Sequence, residues 1–172
     1  MLLARRPLLL LLFLGCFVSL MASGRFAVRL IVDGAISFAF VPAFCLAGLA
    51  VVWRLSPRTA RSFASVADAF FAGFTPWLAW LIVAGAVLAL VPPRAFGSWF
   101  FPLLTAGALP LVWSLRIDWR FFRDGLGRSP RQAVRDLAVH RAIEWIGVVA
   151  YFLGIALWYQ VLPEWAMKVG LG

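Results

Sequence analysis

Five apolar stretches of about 16–24 residues, parted by short segments that hold nearly all the arginines, constrain this chain more than any other feature. A helix rises 1.5 Å per residue, so each stretch is long enough to cross about 30 Å of hydrocarbon. The hydrophobic fraction is 64% and the charged fraction 13% over 172 residues. A soluble domain of that length has too little interior to hide so much apolar surface. The sequence therefore predicts an all-α integral membrane protein, a bundle of five transmembrane helices.

The formal net charge of +9 does not point to nucleic acid. The cations lie between apolar runs, as they do in cytoplasmic flanks of membrane helices. Lys168 is the only lysine, and heavy use of Arg, Ala, Gly and Trp points to a bacterial inner membrane protein. Cys16 and Cys45 both fall inside apolar runs, and no CxxC pair occurs. Neither a disulfide framework nor a zinc site is expected, and no cofactor is implied.

The first run, Pro7 to Ala22, follows Arg5 and Arg6 and ends in Ala22-Ser23-Gly24. It reads either as an uncleaved first helix or as a secretory signal, which would leave four spans. Further spans are expected at Leu30–Trp53, Phe70–Val91, Phe96–Leu115 and Ile143–Leu162. Arg54, Arg58 and Arg61 separate the second and third. Seven arginines from Arg116 to Arg141 separate the fourth and fifth, whereas the loop between the third and fourth has only Arg94. The excess of positive charge places these two loops and the N-terminus in the cytoplasm, and the C-terminus in the periplasm or outside the cell. Three regions follow: an N-terminal helix or signal over 1–29, a hairpin over 30–95, and a hairpin over 96–172 with an Arg-rich cytoplasmic loop at 116–142.

The two hairpins share features at equal spacing. Pro42, Val52-Trp53 and Leu55 match Pro102, Val112-Trp113 and Leu115. Ser56-Pro57-Arg58 and Ser129-Pro130-Arg131 follow them, each with the cap-then-proline order that starts a helix. A parallel duplication about an axis along the membrane normal is one reading, and coincidence in a biased composition is the other.

The candidate functional residues cluster in the 116–142 segment. Arg116, Arg120 and Arg123 interleave with Trp119, Phe121 and Phe122, a pattern suited to lipid phosphates and headgroup-level aromatics. With Arg128, Arg131 and Arg135 they form the expected lipid-phosphate or anion set. Gln132, Asp136, His140 and Glu144 recur at i+4 and share one polar face, with Val134, Ala138, Ala142 and Trp145 opposite. Ion pairing of that face with Arg135 or Arg141 on the helix surface is the expected role. Asp118, Asp124, His140 and Glu144 are the weak catalytic candidates. Metal ligation lacks a second carboxylate–histidine pair, and no metal site is expected. Asp124-Gly125 with Arg128 falls short of the DGxxAR core of the CDP-alcohol phosphotransferases. Phe121 stands where that family needs a second aspartate, and the arginine comes one residue early.

A transport path, if there is one, would involve Asp33, Pro42 and Pro102, with Arg29 able to pair with Asp33 one turn away. Ala47-Gly48 and Gly107-Ala108 read as close helix contacts. Three function classes follow. The first is a non-enzymatic accessory or structural subunit that contacts anionic lipid and a partner protein or further copies of itself. The second is a small oligomeric transporter or channel, and the third a lipid-modifying enzyme with a cytoplasmic-face site.

Overall fold

The computed structural model of the chain describes residues 5–55, 61–91 and 95–168. All regular structure among them is helical: α1 (Arg5–Ser23), α2 (Val28–Ser37), α3 (Phe40–Arg54), α4 (Phe63–Phe71), α5 (Thr75–Leu90), α6 (Phe96–Ala106), α7 (Ala108–Arg120) and α8 (Pro130–Lys168). These merge into five helical segments long and apolar enough to cross a membrane: Arg6–Ser23, Val28–Arg54, Phe63–Val87, Gly97–Gly125 and Pro130–Trp158.

Three of these segments are interrupted at one kind of place. A proline lacks a backbone N–H, and its ring clashes with the carbonyl four residues earlier. Pro42 follows the break between α2 and α3 at Phe38–Ala39, and Pro110 follows the break between α6 and α7 at Gly107. Pro76 follows a tightened turn, Ala72–Phe74, between α4 and α5. All three prolines are buried. Pro102, matched to Pro42 by spacing, instead lies exposed inside an unbroken α6. The proline that interrupts the fourth segment is Pro110.

Two helix pairs organise the packing. α1 lies against α2, where a Cβ on Gly15 would collide with the Ile31 carbonyl oxygen and one on Gly34 would come 2.8 Å from the Val18 Cβ. Only a residue without a side chain permits that approach. The turn between these helices is pinned by the fully buried Ser19, whose hydroxyl accepts the Ala27 N–H at 2.8 Å. Ala22-Ser23-Gly24 forms part of this turn, and Ser23 Oγ donates to the Ser19 carbonyl at 2.8 Å. α3 lies against α8 through Gly48, where a Cβ would come 3.0 Å from both Cδ2 and the carbonyl oxygen of His140. Gly48 is thus a close helix contact, as expected, whereas Gly107 is a helix break.

The starts of α4 and α8 use side-chain caps. Ser129 and Gln132 cap α8 reciprocally: the Gln132 N–H points to Ser129 Oγ at 3.4 Å, and Ser129 N–H donates to Gln132 Oε1 at 3.1 Å. With Pro130 at the first helical position, this is the arrangement expected of the second Ser-Pro-Arg triplet. The first triplet, Ser56-Pro57-Arg58, lies outside the described residues, as do Pro92 and Arg94. α4 starts later than that triplet would place it, capped by Ser62, whose hydroxyl accepts the Ser65 N–H at 3.3 Å.

The 116–142 segment is mostly helical. α7 runs to Arg120 and continues through a wide turn, Phe121–Gly125, and α8 begins at Pro130. The connection narrows to Leu126–Ser129, with Gly127 at φ 66°. The core sits just above this connection, where Leu49, Val52, Val66, Phe70, Phe71, Phe122, Leu126 and Ala133 are buried together.

Candidate functional site

A polar cluster lies against this core. α7 supplies Asp118, α8 supplies His140, Arg141 and Glu144, and α3 supplies Cys45. The Arg141 guanidinium bridges two carboxylates. One Nη donates to Glu144 Oε2 at 2.6 Å and the other to Asp118 Oδ2. The Asp118 side chain is 3% exposed, and those of Arg141 and Glu144 are each 18% exposed. Glu144 Oε1 accepts the Cys45 thiol at 3.3 Å. The Arg141 Nε has no partner among the described residues.

His140 is fully buried. Its ring packs on Phe70 and Phe122, at centroid distances of 4.8 and 5.8 Å. Its Nε2 lies 3.1 Å from the Cys45 carbonyl oxygen, to which an N–H there donates, and its Nδ1 has no partner among the described residues. The imidazole is therefore enclosed by aromatics and backbone, and faces no open groove.

One turn nearer the start of α8, Asp136 is 2% exposed and holds two arginines. Arg128 donates to its Oδ2 at 2.9 Å, and Arg135 to its Oδ1 at 2.8 Å. The face carrying Asp136, His140 and Glu144 is thus the packed face of α8, while Val134, Trp145 and Ile146 are exposed. The expected pairings of Asp136 with Arg135 and Glu144 with Arg141 are present. The Arg141–Glu144 pair is largely enclosed, whereas Arg135 reaches the buried Asp136 from an exposed position.

The catalytic candidates do not assemble as a set. Asp118 and Glu144 meet through Arg141, and His140 is on the same helix. Asp124 is elsewhere, 58% exposed and paired with Arg123 at 2.7 Å, whose guanidinium lies 4.6 Å from the Trp119 ring centre. No group of three His, Cys, Asp or Glu among the described residues is placed to hold a metal ion. Asp33 is paired with Arg29 at 3.7 Å in an exposed position. With Pro42 buried in α3 and Pro102 exposed on α6, these three residues line no common groove among the five best-formed ones.

The arginine set divides in two. Arg123, Arg128 and Arg135 are engaged with carboxylates. Arg116, Arg120 and Arg131 are exposed, and among the described residues none of the three forms an ion pair.

Sequence reasoning did not bring Cys45 or Phe70 to the site, and placed Phe122 with the lipid-facing aromatics. It expected Arg141 as an ion-pair partner of the polar face, without its link to Asp118. One signal was available: a chain with seven acidic residues that places Asp118 and Glu144 at the edges of apolar runs must give each a cation. No family model matches this chain, and comparisons with curated proteins and with solved structures give no match either.

Proposed function

We propose that the chain is a non-enzymatic accessory or structural subunit of a bacterial inner membrane, multi-pass, that contacts anionic lipid and a partner protein. The observation that carries this reading is how its buried charges are used. Asp118, Asp136 and Glu144 are each held by an arginine of the same chain. Five surface grooves among the described residues are lined by none of them, nor by His140 or Cys45. A catalytic or transport centre has to be reached by its substrate, and these groups act instead as ties between helices.

The last part of α8 supports a neighbour. Tyr151 stacks on Phe40 with ring centres 4.5 Å apart. From Phe152 to Trp158 every residue is exposed, so all sides of the helix face outward. A helix apolar all round belongs in hydrocarbon or against another protein. In the proposed topology the Arg-rich connections face the cytoplasm, together with the N-terminus.

Purification from native membranes in mild detergent, with mass analysis of what co-elutes, tests the partner. A protein recovered in fixed stoichiometry is expected, and a chain recovered alone would overturn the accessory reading. Orientation is tested by Arg131→Cys, which should react with an impermeant thiol reagent only from the cytoplasmic side.

The second reading is transport, favoured by the two carboxylates Asp118 and Glu144 inside segments able to span a membrane. Under it, Glu144→Gln would abolish movement of some solute while leaving the amount of protein in the membrane unchanged. The enzyme reading has no such support, since its four residues do not converge.

A further inference from the structure

Two adjoining grooves lie along α7, one between it and the α4–α5 run and the other on its own surface. One, of about 620 Å³, is lined by Gly73, Pro76, Ala79, Trp80 and Trp113 among others. The other, of about 770 Å³, includes Arg116 and Arg120. The two share Leu109, Trp113 and Ile117, a single stripe of α7, and form one apolar trough with two guanidinium groups at one end.

From the structure we infer that this trough binds one anionic glycerophospholipid, with its phosphate on Arg116 and Arg120 and an acyl chain along Gly73, Pro76, Trp80 and Trp113. The inference deepens the lipid contact in the proposed function and rests on that part alone. Three observations support a lipid as the occupant.

The first is length. From Leu109 to Arg120 α7 rises about 16 Å, close to half of a hydrocarbon core of about 30 Å. The trough thus matches one leaflet, whereas a partner helix that crossed the membrane would need a seam about twice as long. The second is charge. Arg116 and Arg120 lie one turn apart on one face, exposed, and neither forms an ion pair among the described residues, although Asp124 lies within electrostatic reach of Arg120. Two paired guanidinium groups suit the oxygens of one phosphate. The third is depth. Ala69 lines the first groove, which shares Ile117 with the arginine groove, and the neighbouring Asp68 carboxylate accepts the Arg6 N–H at 3.3 Å in the first turn of α1. The apolar run of α1 begins there, which puts the end of the trough that holds Ala69 and Ile117 near the start of an apolar span.

The test uses the full chain purified alone in mild detergent. It is offered equal amounts of phosphatidylglycerol and phosphatidylcholine with the same acyl chains, and examined by native mass spectrometry. One retained lipid per chain is expected, with phosphatidylglycerol preferred by roughly thirtyfold, given the contribution of two juxtamembrane arginines. R116Q/R120Q should abolish the preference, whereas R131Q should leave it intact. Ala79 is exposed in the trough, and A79W should expel both lipids. An unchanged preference in R116Q/R120Q would overturn the proposal. So would displacement of the lipid by inorganic phosphate, which would mark a site for a free anion. A change in oligomeric mass in A79W with the lipid still bound would give the trough to a second copy of the chain. Because no other protein is present, failure here is distinct from failure to find a protein partner.

Discussion

Replacing Arg141 with methionine removes the one cation that holds Asp118 and Glu144 together, while keeping most of the side-chain volume. The Asp118 side chain is 3% exposed and that of Glu144 18% exposed, so neither carboxylate regains full hydration once the guanidinium is gone. Breaking a buried ion pair by removing one partner costs about 3–5 kcal/mol. Two features move the expected value to the lower end. Glu144 keeps some exposure, and a chain unfolded within a membrane finds other partners for its polar groups. A loss of about 3 kcal/mol corresponds to a fall in melting temperature of roughly 6–12 °C for a chain of this size.

Cys45 is a built-in reporter. It is fully buried beside Glu144, and Cys16 is the only other cysteine. In a C16S background, the temperature at which a thiol-reactive dye labels Cys45 measures opening of the α3–α8 contact. R141M should lower that temperature by the amount above. D118L/R141M/E144M removes all three charges and should recover to within about 1 kcal/mol of the parent, because apolar residues of similar volume commonly replace a buried ion set at little cost. R141M melting with the parent would refute the view that the guanidinium is tied into the interior. A triple variant as unstable as R141M would assign the effect to lost packing and not to stranded charge.

Gly48→Val places a side chain where a Cβ alone would come 3.0 Å from the His140 ring and carbonyl oxygen. It should cost about 1–3 kcal/mol in the same assay, as overpacking does. Gly97→Val, where nothing lies within 4 Å of the added Cβ, should show no such clash penalty. Ser129→Ala removes the cap of α8 and should cost about 1 kcal/mol. Adding Gln132→Ala should then cost less than it does alone, because the two side chains cap one helix start reciprocally.

The five helical segments were legible because apolar run length is a direct physical requirement of crossing hydrocarbon. The start of α8 was legible for an equally local reason, the Ser129-Pro130 cap. What the sequence concealed depends on neighbours. The fourth segment extends past Leu115 to Gly125, since Asp118 is neutralised by Arg141, 23 positions later, and a local hydropathy reading has no means of knowing that. The breaks before Pro42, Pro76 and Pro110 follow from ring geometry, yet Pro102 satisfies the same local rule without interrupting its helix. Packing decides between them, and the three prolines at breaks are the buried ones. Cys45 carried no signal beyond being apolar and unpaired, because its role comes from Glu144 on another helix.

The polarity of α8 explains why its polar residues were recognised while the inward setting of Asp136, His140 and Glu144 was not. In water, a stripe of Gln132, Asp136, His140 and Glu144 belongs outside. Here Asp136, His140 and Glu144 turn inward to arginines and aromatics of the same chain, while Gln132 stays exposed at the cap of α8. This inversion also accounts for the register of α8. Its exposed apolar side touches no other helix of the chain over much of its length and so discriminates poorly between neighbouring positions. The charges do discriminate: sliding α8 by one turn, about 5.4 Å, would separate Arg141 from Asp118 and move His140 away from Gly48. Glu144 would move with Arg141, so the contact with Asp118 is the one that records the position of α8 relative to α7. Buried ion sets of this kind contribute little net stability compared with an apolar packing, but each misplaced alternative leaves a charge stranded. In a helix exposed on so much of its surface, that penalty is the strongest local reason for α8 to occupy one position against α3 and α7.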